Sequence, residues 1–350
     1  MSTTMTKEPP DSSSLRINKH PAEKDSWFAR YGQAVPRAGR WVATAALTLL
    51  LLSVIAFLMT DLMPGDPAAI IAGEYANPDQ IEQVRQQLGL DQSMISRYLE
   101  FLNGVVTGDL GNSYQVQPGV AVMTLVLNAA PVTLSLLVLA MIIKVPVGVM
   151  GGHLAASHQN TKLDRWLTGG SSIALAVPPF VLASFLIAIF GFGLGWLPVG
   201  GYTNLTKNPT DWFLHLLLPA LALSAVGAAE IARQTRGAII DVREQDYVRM
   251  AENKGLGPKL VVYRHVLRNA ATPVLTVIGL QVLSVLGGSI VIEQIFGMPG
   301  IGTLTYRAVI ERDTPLLQGL VLVIAVIVII VNLLIDLANT AISPKSRSDS

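Results

Sequence analysis

The sequence predicts an all-α integral membrane protein: six transmembrane helices, with a small extracytoplasmic helical insertion after the first span. Three observations carry that expectation. Of the 350 residues 51% are apolar and only 14% are charged, against about 25% charged in an ordinary soluble domain. The apolar residues gather into charge-poor runs long enough to cross a hydrocarbon core of about 30 Å at about 1.5 Å per residue. The basic residues gather beside the ends of those runs that should face the cytoplasm. The net charge of +1 decides nothing by itself. Cysteine is absent, which excludes disulfides, thiolate metal sites and a cysteine nucleophile. The five histidines show no metal-ligand spacing.

Residues 1–36 are rich in Ser, Pro, Lys and Glu and lack a periodic apolar pattern, so a disordered cytoplasmic tail is expected there. The segment is too long and too polar for a signal peptide. Residues 37–62 hold the first span, uncharged over 41–60, and the bases ahead of it, ending with Arg37 and Arg40, predict a cytoplasmic N-terminus. Residues 63–120 are acidic, with Arg85 and Arg97 as their bases, and form the expected insertion. Helical patterns occupy 78–89 and 94–106, while PGDP at 64–67 and GDLGNS at 108–113 are turn-rich.

A five-span core is expected over residues 121–340. Span two covers 124–151 and contains Lys144, which is expected to snorkel toward the cytoplasmic interface. A short loop follows at 153–165. The charge-free stretch 168–206 is too long for one crossing; Pro178-Pro179 breaks it, and GWLPVGGY at 195–202 turns it, so span three ends near Phe192. Span four covers 212–231, with Glu230, Arg233 and Arg236 at its inner end.

The loop 233–270 carries eight Lys or Arg against four acids over 233–268, which keeps it in the cytoplasm. Residues 241–273, DVREQDYVRMAENKGLGPKLVVYRHVLRNAATP, read as two short helices. In the first, Tyr247, Met250 and Ala251 share a face, with Arg249, Glu252 and Lys254 around the rest. It ends near Gly255, and a second starts near Pro258 with Leu260, Tyr263 and Leu267 on one face. Such a pair either lies in the lipid headgroups or docks a soluble partner.

Span five, 272–292, carries Gln281, Ser284, Gly287, Gly288 and Ser289, a combination that packs helices closely and lines a pathway. The loop 293–315 contains EQIFGMPGIG, with Glu293, Phe296 and Met298, and reads either as a gate or binding-protein contact or as a solvated loop. An amphipathic piece follows at 304–310. Span six covers 316–335, and a polar tail, 341–350, leaves both termini in the cytoplasm.

No GxxxxGK[ST], GxSxG or HExxH motif occurs. The charges Lys144, Glu230, Glu293 and Asp336 fall near predicted span ends, whereas ion-coupled carriers place theirs at the midplane. That favours energy from an ATP-hydrolysing partner. A stand-alone secondary carrier leaves the paired amphipathic helices unexplained, and a membrane scaffold leaves the polar, glycine-rich span five unexplained.

The loop resembles the cytoplasmic EAA loop of ABC importer permeases, in which a Glu-Ala-Ala triplet, a glycine four residues on and a downstream Leu-Pro pair shape a coupling helix. Ala251 matches the last alanine, Gly255 the glycine and Leu267 the leucine; Arg249 and Met250 replace the first two triplet positions, and Arg268 replaces the proline. YVRMAENKGL followed by RHVLRNA is similar to the variant of dipeptide and oligopeptide permeases. PGDP, LGLDQ, RYLEFL and GDLGNS, in that order after the first span, resemble the first of the two permease subunits in those importers. The resemblance covers about residues 40–340. It implies a type I ABC importer (MetI-like) fold and a permease for peptides, with nickel chelates, glutathione or haem as alternative cargo. It also implies a heterodimer with a second permease, two cytoplasmic ATPase subunits carrying ATP and Mg, and an extracytoplasmic binding protein. On this reading the chain has no cofactor or nucleic-acid partner and is not an enzyme. Asp246, Tyr247, Arg249, Met250, Ala251, Glu252, Lys254, Gly255 and Leu256 couple to the ATPase. Gln281, Ser284 and Ser289 line the pathway, and Glu293, Phe296 and Met298 meet the binding protein.

Overall fold

The computed structural model describes residues 27–61, 66–73, 75–257 and 260–342. The expectations for most of the N-terminal tail, for residues 343–350, for Pro64 and Gly65 of PGDP and for Pro258 lie outside them. The chain divides into two compact units, Met1–Thr48 and Leu49–Ser350. The described part of the first is the opening portion of helix α1, Trp27–Asp61, which continues into the second.

The described residues are almost wholly helical. Three short helices follow α1: α2, Pro67–Ala72, α3, Pro78–Gln87, and α4, Met94–Thr107. Local chemistry sets their limits. Asp66 caps α2, Asn77 and Gln80 form a reciprocal capping box on α3, and Ser93 caps α4, which Gly108 closes at φ +80°. The core then comprises α5, Val122–Ser157; α6, Lys162–Ala176; α7, Pro179–Gly193; and α8, Pro209–Arg243. It continues with α9, Asp246–Asn253; α10, Val261–Ile295; α11, Ile301–Ile310; and α12, Thr314–Ile342.

By length and composition, α5, α8, α10 and α12 are each able to cross a membrane, and α6 with α7 makes a fifth span bent by 98°. The break falls at Pro178-Pro179, where the sequence predicts it. The apolar part of α1 is Ala43–Met59, shorter than those spans. The helices also outrun the predicted spans. The expected loop 153–165 shrinks to a turn at His158–Thr161, with Asn160 at φ 65°. The second amphipathic helix and span five are one element, α10, wound as π-type turns at Val261–Val266 and holding Pro273 in its interior.

The centre is the packing of α5 along α8, with α10 across α8. Small residues permit the approach: a Cβ on Gly148 would lie 2.8 Å from the Ala228 carbonyl and 2.7 Å from Ile231 Cβ. One buried cluster joins α5, α7, α8 and α10 through Leu136, Ala183, Leu216, Val285 and Ile292. A second joins the start of α10 to α8 and α9 through Ile239, Val248, Val261 and Val266. A third packs α5 on α11 and α12 through Val122, Ala308 and Leu316. Arg236 of α8 grips Asp164 of α6 through two hydrogen bonds of 2.7 and 2.8 Å.

The GDLGNS turn is held from a distance of 200 residues in sequence. Asp313, fully buried before α12, accepts at one carboxylate oxygen from the Ser113 hydroxyl and from the backbone N–H groups of Tyr114, Gln115 and Val116 at 2.9–3.0 Å. Removing an acceptor that serves several buried donors leaves each of them with a desolvation cost of about 1–3 kcal/mol. Asp313→Ala is therefore expected to destabilise the purified protein by more than about 3 kcal/mol, with Asp313→Asn in between. Thermal unfolding in detergent checks this; an unchanged midpoint for Asp313→Ala contradicts it.

Candidate functional site

Helix α9 is short and needs explicit ends. Gly255 closes it in the left-handed region, φ +76°. The Leu256 N–H donates to the Ala251 carbonyl at 3.3 Å and the Gly255 N–H to the Glu252 carbonyl at 2.9 Å, the paired bonds of a Schellman cap. Space does not limit Gly255, since a Cβ there would meet nothing within 4 Å. The backbone angle does, because a β-branched residue is strained at positive φ.

The inward face of α9 differs from the one read off the sequence. Val248 and Ala251 are buried, while Tyr247 and Met250 are 43% and 57% exposed. On the next helix Val261 and Val266 are buried, and Leu260 and Tyr263 are 46% and 70% exposed. Both short segments carry apolar residues on two sides, and the partner decides which side turns in. Val248 and Ala251 meet Val261, Val266 and Ile239. What remains outside is an apolar surface of Tyr247, Met250, Leu256, Leu260 and Tyr263, with exposed Asp246, Arg249, Glu252 and Lys254 among it. Ala251 belongs to the packing face.

Along α10 the three predicted pathway residues separate. Ser284 is exposed on a face with Thr276, Leu280, Gly287 and Val291, spaced by three or four residues. Ser289 is buried and its hydroxyl donates to the Leu286 carbonyl at 2.9 Å. Gln281 is buried too and joins two charges. Its Nε2 donates to Glu230 Oε2 at 2.8 Å, and its Oε1 lies 3.3 Å from Lys144 Nζ, which is also 3.4 Å from the Gln281 carbonyl.

Lys144 thus does not snorkel; it is 1% exposed. Glycine makes the room, since a Cβ on Gly227 would lie 2.5 Å from Gln281 Oε1 and 2.7 Å from Lys144 Nζ. Lys144 and Glu230 lie within helices that run on past the predicted spans. Each is 13 residues from the end of its helix, and Gln281 is 14 from the end of α10. At about 1.5 Å per residue that is about 20 Å along the helix from its end. Sequence reading missed the cluster because its members are 51 and 137 residues apart; the available signal was a lysine within an apolar run.

Glu293, Phe296 and Met298 are 0%, 1% and 1% exposed, so none of the three side chains is available to a delivering protein in this conformation. Glu293 instead organises the EQIFGMPGIG turn. Its carboxylate accepts from the Thr133 hydroxyl of α5 at 2.7 Å and from the Thr303 N–H at 2.9 Å, and Thr133 in turn accepts from the Ile301 N–H. The glycines of the motif make way for it, because a Cβ on Gly300 would lie 2.5 Å from the carboxylate. Phe296 and Met298 fill the central cluster, and the Phe296 carbonyl accepts from the Gly201 N–H at 2.7 Å, tying this turn to GWLPVGGY. Among the described residues no group of three His, Asp or Glu side chains is placed to hold a metal.

Comparison with known proteins agrees with this architecture. Residues 148–348 match the family of binding-protein-dependent transport system inner membrane components, and residues 38–137 match the N-terminal region of such components. The chain is 40% identical over 308 residues to a probable peptide ABC transporter permease of Sinorhizobium fredii, covering 88% of this chain and 97% of that protein. It is 37% identical to a putative peptide transport system permease of Brucella abortus, with 88% and 98% covered. It is 41% identical to a glutathione transport system permease of Pectobacterium atrosepticum, with 86% and 95% covered. Among solved structures, the inward-facing MetNI methionine ABC transporter shares the fold, with a TM-score of 0.53 at 17% identity over 63% of this chain and 97% of that one. The chain belongs to the family of binding-protein-dependent transport system inner membrane components and is an integral inner-membrane permease subunit.

Proposed function

We propose that this permease forms the pathway of an ATP-driven importer for di- and oligopeptides handed over by an extracytoplasmic binding protein. The observation that carries the reading is α9: its outer face is exposed and apolar, and its inner face packs on the first turns of α10. An ATPase seated on Tyr247, Met250 and Tyr263 therefore pushes on a helix that runs uninterrupted to the membrane interior. ATP and Mg are held by two ATPase subunits, and this chain does no chemistry. A second, homologous permease covers the Ser284 face of α10. Six spans, counting α1, place both termini in the cytoplasm and α2 to α4 outside. The names of the relatives at 37–40% identity support peptides as cargo. The relative at 41% supports glutathione, itself a peptide, as a second reading.

Affinity purification of the tagged chain in mild detergent is expected to recover a second permease and P-loop ATPases; recovery of a stable chain alone favours a secondary carrier. Gly255→Val is expected to lower uptake at least tenfold while ATP hydrolysis and membrane insertion persist, because the strained cap misplaces α9; normal uptake counts against coupling through this helix. Met250→Asp with Tyr263→Asp is expected to strip the ATPase during purification. Because both side chains are exposed, the stability of the chain itself should change by less than about 0.5 kcal/mol per site.

A further inference from the structure

Helix α4 turns an apolar side to its surroundings. Ile95, Leu99, Leu102 and Val106 recur at spacings of four, three and four, which stacks them along one side of the helix. Ile95, Leu99 and Val106 are 73%, 59% and 85% exposed. The charged residues of the helix, Arg97 and Glu100, lie on the opposite side, where with Asn103 and Thr107 they line a cavity of about 880 Å³ that reaches Gln318 of α12. No residue of α4 is fully buried in the protein.

A third side fixes where the helix lies. The Tyr98 hydroxyl is 2.9 Å from the Ser53 hydroxyl of α1, and the Phe57 ring of α1 packs edge-on to Tyr98 and against Phe101, with centroids 5.4 and 6.2 Å apart. Ser53 and Phe57 belong to the apolar stretch Ala43–Met59. Just past the other end of α4, Leu110 is held at α12: a Cβ on Gly319 would lie 3.5 Å from Leu110 Cβ. Gly319 belongs to the apolar helix Thr314–Ala338, which is able to cross a membrane. The two ends of α4 are thus tied to two different apolar helices, each at a residue inside the apolar stretch. A helix tied in this way does not stand clear of the bilayer, and an amphipathic helix at that level lies in the interface plane with its apolar side toward the acyl chains and its polar side toward water.

We infer that α4 is an interfacial helix whose Ile95, Leu99 and Val106 side chains enter the acyl-chain boundary of the outer leaflet, so that the partner of this surface is the lipid itself. This rests on the reading of α1 as a span given above. A protein partner is ordinarily met by an apolar centre within a polar rim. Here the stripe runs uncharged from the first turn of α4 to the last, and the polar residues turn away from it into the cavity. Lipid contact also supplies the burial that the protein does not give this helix.

The test places single nitroxide labels on introduced cysteines, which the cysteine-free chain permits. The assembled transporter is held in liposomes of phosphatidylcholine and phosphatidylglycerol, and relaxation of each label by oxygen, which concentrates in lipid, is compared with relaxation by a water-soluble nickel chelate. Ile95→Cys, Leu99→Cys and Val106→Cys report the stripe, and Glu100→Cys, Asn103→Cys and Thr107→Cys report the cavity side; all six positions are exposed. Leu51→Cys, at a position 55% exposed on α1, reports the lipid around that helix. The expected oxygen-to-nickel ratio at the stripe is at least about threefold above that of the cavity side and close to that of Leu51→Cys. Stripe labels as open to nickel as the cavity side would show a solvated surface and overturn the inference. Stripe labels shielded from both reagents would show a protein covering them, the second permease or the binding protein, and overturn it equally. If the Leu51→Cys label is itself open to nickel, the reading of α1 as a span fails and takes the inference with it; a lipid-exposed Leu51→Cys beside a water-exposed stripe overturns the inference alone.

Discussion

Inside an apolar span every polar group must find its partner within the protein, and the structure is arranged around the places where that requirement is met. Removing an ion from water costs several kcal/mol even after the surroundings relax, so Lys144 fixes the relative positions of three helices. Its ammonium faces Gln281 of α10, whose amide reaches Glu230 of α8. Glu293 does the same nearer the end of α10, binding Thr133 of α5 and the first turn of α11. Asp313 closes the turn between α4 and α5 onto the start of α12. Each carboxylate collects donors from segments remote in sequence, and removing any one leaves those donors stranded.

In the proposed coupling, the same helices would carry the motion. Val248 and Ala251 of α9 press on Val261 and Val266, which belong to α10, and α10 continues without a break to Gln281 and on to Glu293. In that coupling, a displacement at the α9 surface would reach the buried cluster of Lys144, Gln281 and Glu230 along one continuous helix. Small residues between α5 and α8, Gly148 and Gly152 among them, let those two helices pack closely. Pro273 is the point in α10 where a bend would absorb the displacement.

Much of this was legible in the sequence. The apolar runs, the break at Pro178-Pro179, the helix over Pro78–Gln87 and the cap at Gly255 follow from composition, proline chemistry and glycine at positive φ. Orientation was not legible. Val248 and Met250 are both apolar and two apart, hence on different sides of α9, and packing against Val261 buries Val248. Helix length was underestimated because α5 and α8 run on past the predicted span ends at 151 and 231, to Ser157 and Arg243, through stretches that a hydropathy window does not assign to the span. EQIFGMPGIG reads either as a gate or binding-protein contact or as a solvated loop, yet Gly300 and Gly302 leave room for the Glu293 carboxylate, a contact no spacing rule predicts.

The central claim is that α10 conveys docking movement to mid-span as a single rod. The chain lacks cysteine, so introduced pairs can be spin-labelled without interference. Label separations would be measured in the assembled transporter by pulsed electron resonance, with and without a non-hydrolysable ATP analogue. One pair joins Arg264 to Leu154 at the docking end, and the other joins Leu280 to Leu134 farther along α10; all four side chains are exposed. The account predicts that both separations change together when nucleotide binds. A change at the docking end with the mid-span pair fixed would contradict it, because the movement would then end at Pro273.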